Sequence, residues 1–96
     1  MSPKNKKKLN LLRKKLDYLD NDLLKLIKIR LNIVNKVLKL KSHKKEIVDK
    51  KRITYILKKI IKKSIQKKID PKITKRIWLN MVWSFVNYER RNFKKK

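Results

Sequence analysis

From Leu9 to Leu40 the chain reads LNLLRKKLDYLDNDLLKLIKIRLNIVNKVLKL, and its apolar side chains recur at Leu9, Leu12, Leu16, Leu19, Leu23, Leu26, Ile33, Val37 and Leu40. The steps alternate between three and four residues once Arg30 is counted in the row, which is the heptad spacing of a helix with one apolar seam. A helix predicted from about Lys7 to Lys41 is roughly 50 Å long at 1.5 Å per residue. A compact chain of 96 residues is only about 30–35 Å across. The helix therefore overhangs its own domain, and a second copy of the chain is the simplest cover for the seam. A homodimer is expected.

Working outward from that stretch, Ser42 to Val48 breaks the seam and reads as a loop. Asp49 then stands where an N-cap belongs, ahead of a second helix with Ile53, Ile56, Leu57, Ile60 and Ile61 on its apolar face and an end near Lys68. Asp70-Pro71 is an N-cap followed by proline in the first helical position. The third helix carries Ile73, Ile77, Met81, Ser84, Phe85 and Tyr88 along one side and ends near Asn92. With no Gly, and Pro only at positions 3 and 71, nothing in the chain favours strands. The expected fold is all-α, three helices in a single domain over 1–96, with basic tails at about 1–7 and 93–96.

Composition narrows the function. There is no Cys and one histidine, His43, which excludes disulfide scaffolds, thiolate or histidine metal cages, thiol nucleophiles and most histidine relays. Neither a metal nor a cofactor is expected, and any chemistry must run on charge and hydrogen bonds. The start, Met1 to Lys8, is too basic and too poor in apolar residues for a secretory signal, and no apolar run approaches a membrane span. The cytoplasm is the expected compartment, with no membrane partner. The chain holds 32 Lys+Arg against 7 Asp+Glu, a net charge of +25. Such a balance suits a basic helical nucleic-acid-binding module. Yet 26 of the cations are Lys and 6 are Arg, with 12 Ile and 8 Asn, the bias that A/T-rich codons impose. The charge is thus weak evidence for nucleic acid, and that partner is not favoured.

Polar residues on apolar faces are more telling than exposed lysines. Arg30 sits in the middle of the leucine seam, where an unmatched charge is costly and a bound anion would satisfy it. Lys41 follows eleven residues later, which at about 100° per residue returns to within roughly 20° of the same direction. Arg13, seventeen residues earlier, lies about 100° round the helix, so it serves such a pocket more readily from a partner chain. Against a background that favours Lys, a surviving Arg marks a place where the planar bidentate fork is needed. Arg13, Arg30 and Arg52 are accordingly candidate carboxylate or phosphate clamps, while Arg76, Arg90 and Arg91 lie off the apolar faces. Ser84 and Tyr88 offer a hydroxyl and a phenol one turn apart on the third helix. Trp78 and Trp83 read as packing residues, and His43 as an exposed loop residue.

The run Leu12-Arg13-x-x-Leu16-Asp17-x-Leu19-Asp20-x-x-Leu23-Leu24-x-Leu26-Ile27-x-x-Arg30, followed by Lys41, Asp49, Arg52 and Ser84, resembles the all-helical class of chorismate mutase. The likeness extends from about Leu9 to Tyr88. It implies an intertwined dimer of three-helix chains that rearranges chorismate to prephenate in aromatic amino-acid biosynthesis. It further implies that Arg30 and the other subunit's Arg13 bind the two substrate carboxylates, with Arg52 lining the site. Lys41 would donate to the ether oxygen, and Asp49 and Ser84 would help hold the hydroxyl and ring-carboxylate side. Two positions depart from the family pattern. After Arg52 the family usually has glutamate, and here stands Ile53. Four residues after Ser84 it usually has Gln or Glu as a second donor to the ether oxygen, and here stands Tyr88, whose phenol would donate instead. Ile53 also fits the related isochorismate-pyruvate lyase, which resembles the same fold and is the alternative activity.

Overall fold

The computed structural model describes residues 1–95. Three α-helices follow one another: α1 over Pro3–Leu40, α2 over Lys50–Gln66 and α3 over Pro71–Asn92, with a single 3-10 turn at Lys44–Glu46 between the first two. No strand occurs among the described residues. The chain divides into two compact units, one over 1–33 and the other from Val34 onward.

The first unit is the N-terminal part of α1. It begins earlier than the seam predicts, because Ser2 caps it: its Oγ accepts from Asn5 N at 3.2 Å and its carbonyl from Lys6 N at 2.9 Å. Pro3 follows with φ already set for a first helical turn. The basic tail expected at about 1–7 is therefore helical from Pro3 onward. Along the seam Leu12, Leu16, Leu19, Leu23, Leu26 and Ile33 are each more than half exposed, an apolar stripe of the kind that marks an interaction surface.

The second unit is built on an α2–α3 hairpin. Both predicted caps are present. Asp49 Oδ1 accepts from Arg52 N at 3.0 Å, and Asp70 Oδ1 accepts from Lys72 N at 2.9 Å, each satisfying one of the N–H groups that a helix start leaves without a partner. The five predicted apolar residues of α2, from Ile53 to Ile61, are all half-buried, and Ser64 below them is buried. Ser64 Oγ donates to Ile60 O at 2.6 Å and shares a 2.6 Å hydrogen bond with Thr74 of α3. The outer side of α2 is a lysine ridge. Lys58/Lys62, Lys59/Lys63 and Lys63/Lys67 are like charges four residues apart, each pair costing the helix roughly 0.2–0.5 kcal/mol.

The packed side of α3 differs from the expected one. Of the expected residues Met81, Phe85 and Tyr88 are half-buried, but Ile73, Ile77 and Ser84 are exposed, whereas Val82, Val86 and Glu89 are buried and Thr74, Trp78 and Phe93 are half-buried. The observed stripe runs through Val82, Val86, Glu89 and Phe93, with the i, i+4, i+7, i+11 spacing of one helix face. An apolar pattern misses it because one of its members is a carboxylate. Leu38, Ile47 and Val86 form the core of this unit, with Val48 and Phe93 packed against them.

A chain without glycine must end α2 with a side-chain-bearing residue in the left-handed region, and Lys68 takes that role at φ 58°. Ile69 N donates to Ser64 O at 2.9 Å and Lys68 N to Ile65 O at 3.1 Å, the paired bonds of a Schellman C-cap. Glycine at this position relieves the Cβ contact, so Lys68→Gly is expected to stabilise the fold by about 1 kcal/mol. In a chain of this size that raises the melting temperature by roughly 4–8 °C, measurable by calorimetry.

Candidate active site

Within the second unit, Lys41 is the first residue past α1, and its N–H still reaches back to Leu38 O at 3.1 Å. An ammonium there is favoured by the negative end of the helix dipole. Its Nζ donates to Glu89 Oε2 at 2.7 Å, with both side chains largely buried, 16% and 10% exposed. That distance is that of a charge-assisted hydrogen bond. Lys41 carries three protons, so it can serve a second oxygen acceptor without giving up this pair.

Glu89, buried and paired with Lys41, is the residue that the sequence reading passes over in favour of its neighbour Tyr88. The signal for it was present: one of seven acids in the chain, spaced three residues from Val86 and seven from Val82. Tyr88 is half-buried and its hydroxyl donates to Asn35 Oδ1 at 2.8 Å. Asn35 precedes Lys41 by six residues, about 120° away round the axis of α1, so Tyr88 and Glu89 engage that segment on different flanks. The phenol lines a cavity of about 400 Å3 together with Asn35, Leu38, Lys39 and Asn92.

The other candidates stand as follows. Asp49 is exposed and its carboxylate caps α2. Arg52 is exposed with its guanidinium 5.4 Å from the centre of the Tyr55 ring, and Lys59 Nζ lies 5.5 Å from the same ring. Such cation–π contacts fix a side chain's direction for about 0.5–1 kcal/mol each. Ile53 is half-buried on the inner face of α2. Ser84, expected to face the packed interior beside Tyr88, points outward instead. It lies two residues from both Val82 and Val86, about 200° from each, and its hydroxyl donates back to Asn80 O at 2.7 Å. In the first unit Arg13 is exposed, while Arg30 is half-buried with its Nε withdrawn from solvent. No helix among the described residues is long and apolar enough to cross a membrane.

The family described as chorismate mutase type II matches residues 12–90, a span that takes in every candidate from Arg13 to Glu89. The chain belongs to the chorismate mutase type II family. It is an isomerase of that family, and its three helices with no strand among the described residues are the all-helical form that the leucine seam predicted. A search of curated proteins and of solved structures found no match. Among the described residues of the second unit, Lys41 with Glu89, at 2.7 Å, is the tightest arrangement of a cation with a side-chain acceptor.

Removing Glu89 leaves the Lys41 ammonium without its carboxylate in a largely desolvated position. Glu89→Ala is expected to destabilise the fold by roughly 2–4 kcal/mol, somewhat below the range for a fully buried pair. Glu89→Gln keeps an acceptor oxygen and is expected to lose less than half as much. Urea denaturation of the two variants, compared at equal m-value, measures the difference.

Proposed function

We propose that the chain converts chorismate to prephenate as a two-chain assembly. In it Arg30 and the other subunit's Arg13 take the two carboxylates, Arg52 lines the site, and Lys41 faces the ether oxygen. The observation that carries this reading is the Lys41–Glu89 pair, 2.7 Å long, inside a chain whose residues 12–90 match the family. The rearrangement is intramolecular. It needs no proton transfer, only a compressed conformer and a place for the charge that develops on the departing oxygen. Clamping two carboxylates selects the reactive chair, a positioning effect. A cation fixed beside the breaking C–O bond favours the transition state over the ground state, because charge on that oxygen appears only there.

Glu89 is placed in this reading beside Lys41, not as the second donor that the resemblance gives to Gln or Glu and that the sequence assigned to Tyr88, because its carboxylate accepts from Lys41. It orients the ammonium toward the ether oxygen. Tyr88, bonded to Asn35, and Ser84, bonded to Asn80, then serve the helix rather than the substrate. Asp49 acts through the cap it forms, which sets the start of α2 and with it Arg52. Two chains are favoured by the exposed leucine seam and by a small core, since only Leu38, Ile47, Val82 and Val86 are buried apolar residues among those described. The seam is the surface a second α1 would cover.

Loss of chorismate absorbance on mixing with the purified protein, with prephenate identified as the product, tests the activity. Arg30→Ala is expected to lower kcat/KM by at least about a hundredfold, as losing a preorganised charge contact does, while the far-ultraviolet circular dichroism is unchanged. Turnover of isochorismate to pyruvate and salicylate in place of chorismate would favour the lyase, which the apolar Ile53 allows. Sharing of sites between chains has its own signature. Arg13→Ala and Arg30→Ala, each inactive alone, are unfolded together and refolded; half of the dimers are then mixed, each with one intact site, and about a quarter of wild-type activity returns. A site built within one chain would return none.

A further inference from the structure

Between Lys50 and Tyr88 twelve Lys or Arg stand against one acid, Asp70. The acids of the second unit are engaged elsewhere: Asp49 and Asp70 accept from the backbone at the helix starts, Glu46 accepts from Ser42 N at 3.3 Å, and Glu89 is held by Lys41. The lysine ridge of α2 is exposed, and its like-charged pairs work against the helix that carries them. Whatever history placed these lysines, the field they make is a property of the molecule. Charges too far from a site to touch a ligand still raise the local concentration of an oppositely charged one, and they do so only while salt is dilute.

We propose that the lysine ridge of α2 steers the substrate, so that part of the affinity for the dianion is long-range and lies outside the binding contacts. The proposal rests on the reading of the chain as an enzyme acting on a dicarboxylate. The ridge belongs to the same unit as Lys41, so the field it adds is carried by the unit that holds the reacting end of the site. Its sign suits a substrate that carries two negative charges throughout the reaction. Because the field acts alike on ground state and transition state once the substrate is bound, it enters kcat/KM and leaves kcat alone.

The test compares the full chain with the Lys58→Glu/Lys63→Glu variant between about 20 and 500 mM NaCl, where the Debye length falls from roughly 20 Å to about 4 Å. Both residues are exposed on α2 and outside the proposed site. Both changes also turn like-charged pairs into opposite ones, so the variant keeps its helix. For the wild-type chain kcat/KM is expected to fall about tenfold across the range with kcat constant. At low salt the variant is expected to start about threefold lower and to fall less steeply, the two converging at high salt. A variant with wild-type kcat/KM at low salt, or two parallel salt profiles, would overturn the proposal and assign the salt effect to the site's own ion contacts. Absence of turnover by either protein at every salt concentration would instead remove the enzymatic reading, and steering with it.

Discussion

The second unit is organised by one contact, the hydrogen-bonded pair between Lys41 and Glu89. It joins the first residue past α1 to the last turns of α3, and it does so where the core of Leu38, Ile47 and Val86 is small. A largely desolvated ion pair tolerates little displacement, because separating the charges loses their attraction without restoring their hydration. The rotation of α3 about its axis follows from this. With Glu89 turned toward Lys41, Val82, Val86 and Phe93 must face inward, and Ser84 must face out. The same pair fixes an ammonium in direction as well as position.

Much of the fold was legible in the sequence where a single residue type performs a single local task. Asp49 and the Asp70-Pro71 step mark helix starts because a carboxylate accepts from the N–H groups that nothing else can satisfy, and both are found there. The apolar positions of α2 were legible because all five are aliphatic. The face of α3 was not, because Glu89 stands in it as a packed residue only by virtue of a partner 48 positions away. Ser2 was overlooked as a cap beside the lysine run it starts. The end of α2 at Gln66, followed by the left-handed Lys68, was blurred because the usual marker, glycine, is absent from the chain.

The candidate site was legible to a different degree. Arg30 stood out as a cation in the leucine seam, Lys41 by its direction eleven residues on, and Arg13 and Arg52 as arginines kept against a lysine background; the family match spans all four positions. Glu89 was missed because the reading followed the face that carries Tyr88, about 100° round the helix, and both residues turn out to be withdrawn from solvent, each with its own partner. Tyr88 has a phenol that can donate, and it does donate, to Asn35. Arg52 shows the reverse case: its position was legible, and its stacking over Tyr55 could be seen only in three dimensions.

The turn at Lys67 to Asp70 also bears on how the chain finds its structure. A helical hairpin closed by so short a link gathers its contacts from residues near in sequence, and the chain entropy given up in closing it is small. The absence of glycine narrows the unfolded ensemble further, since every residue in the turn starts with fewer backbone states to lose. The α2–α3 hairpin therefore has the lowest closure cost in the chain, while Leu38, Ile47 and Lys41, which complete its packing, come from outside it. The leucine seam of α1, exposed over most of its length, has no such local closure available to it.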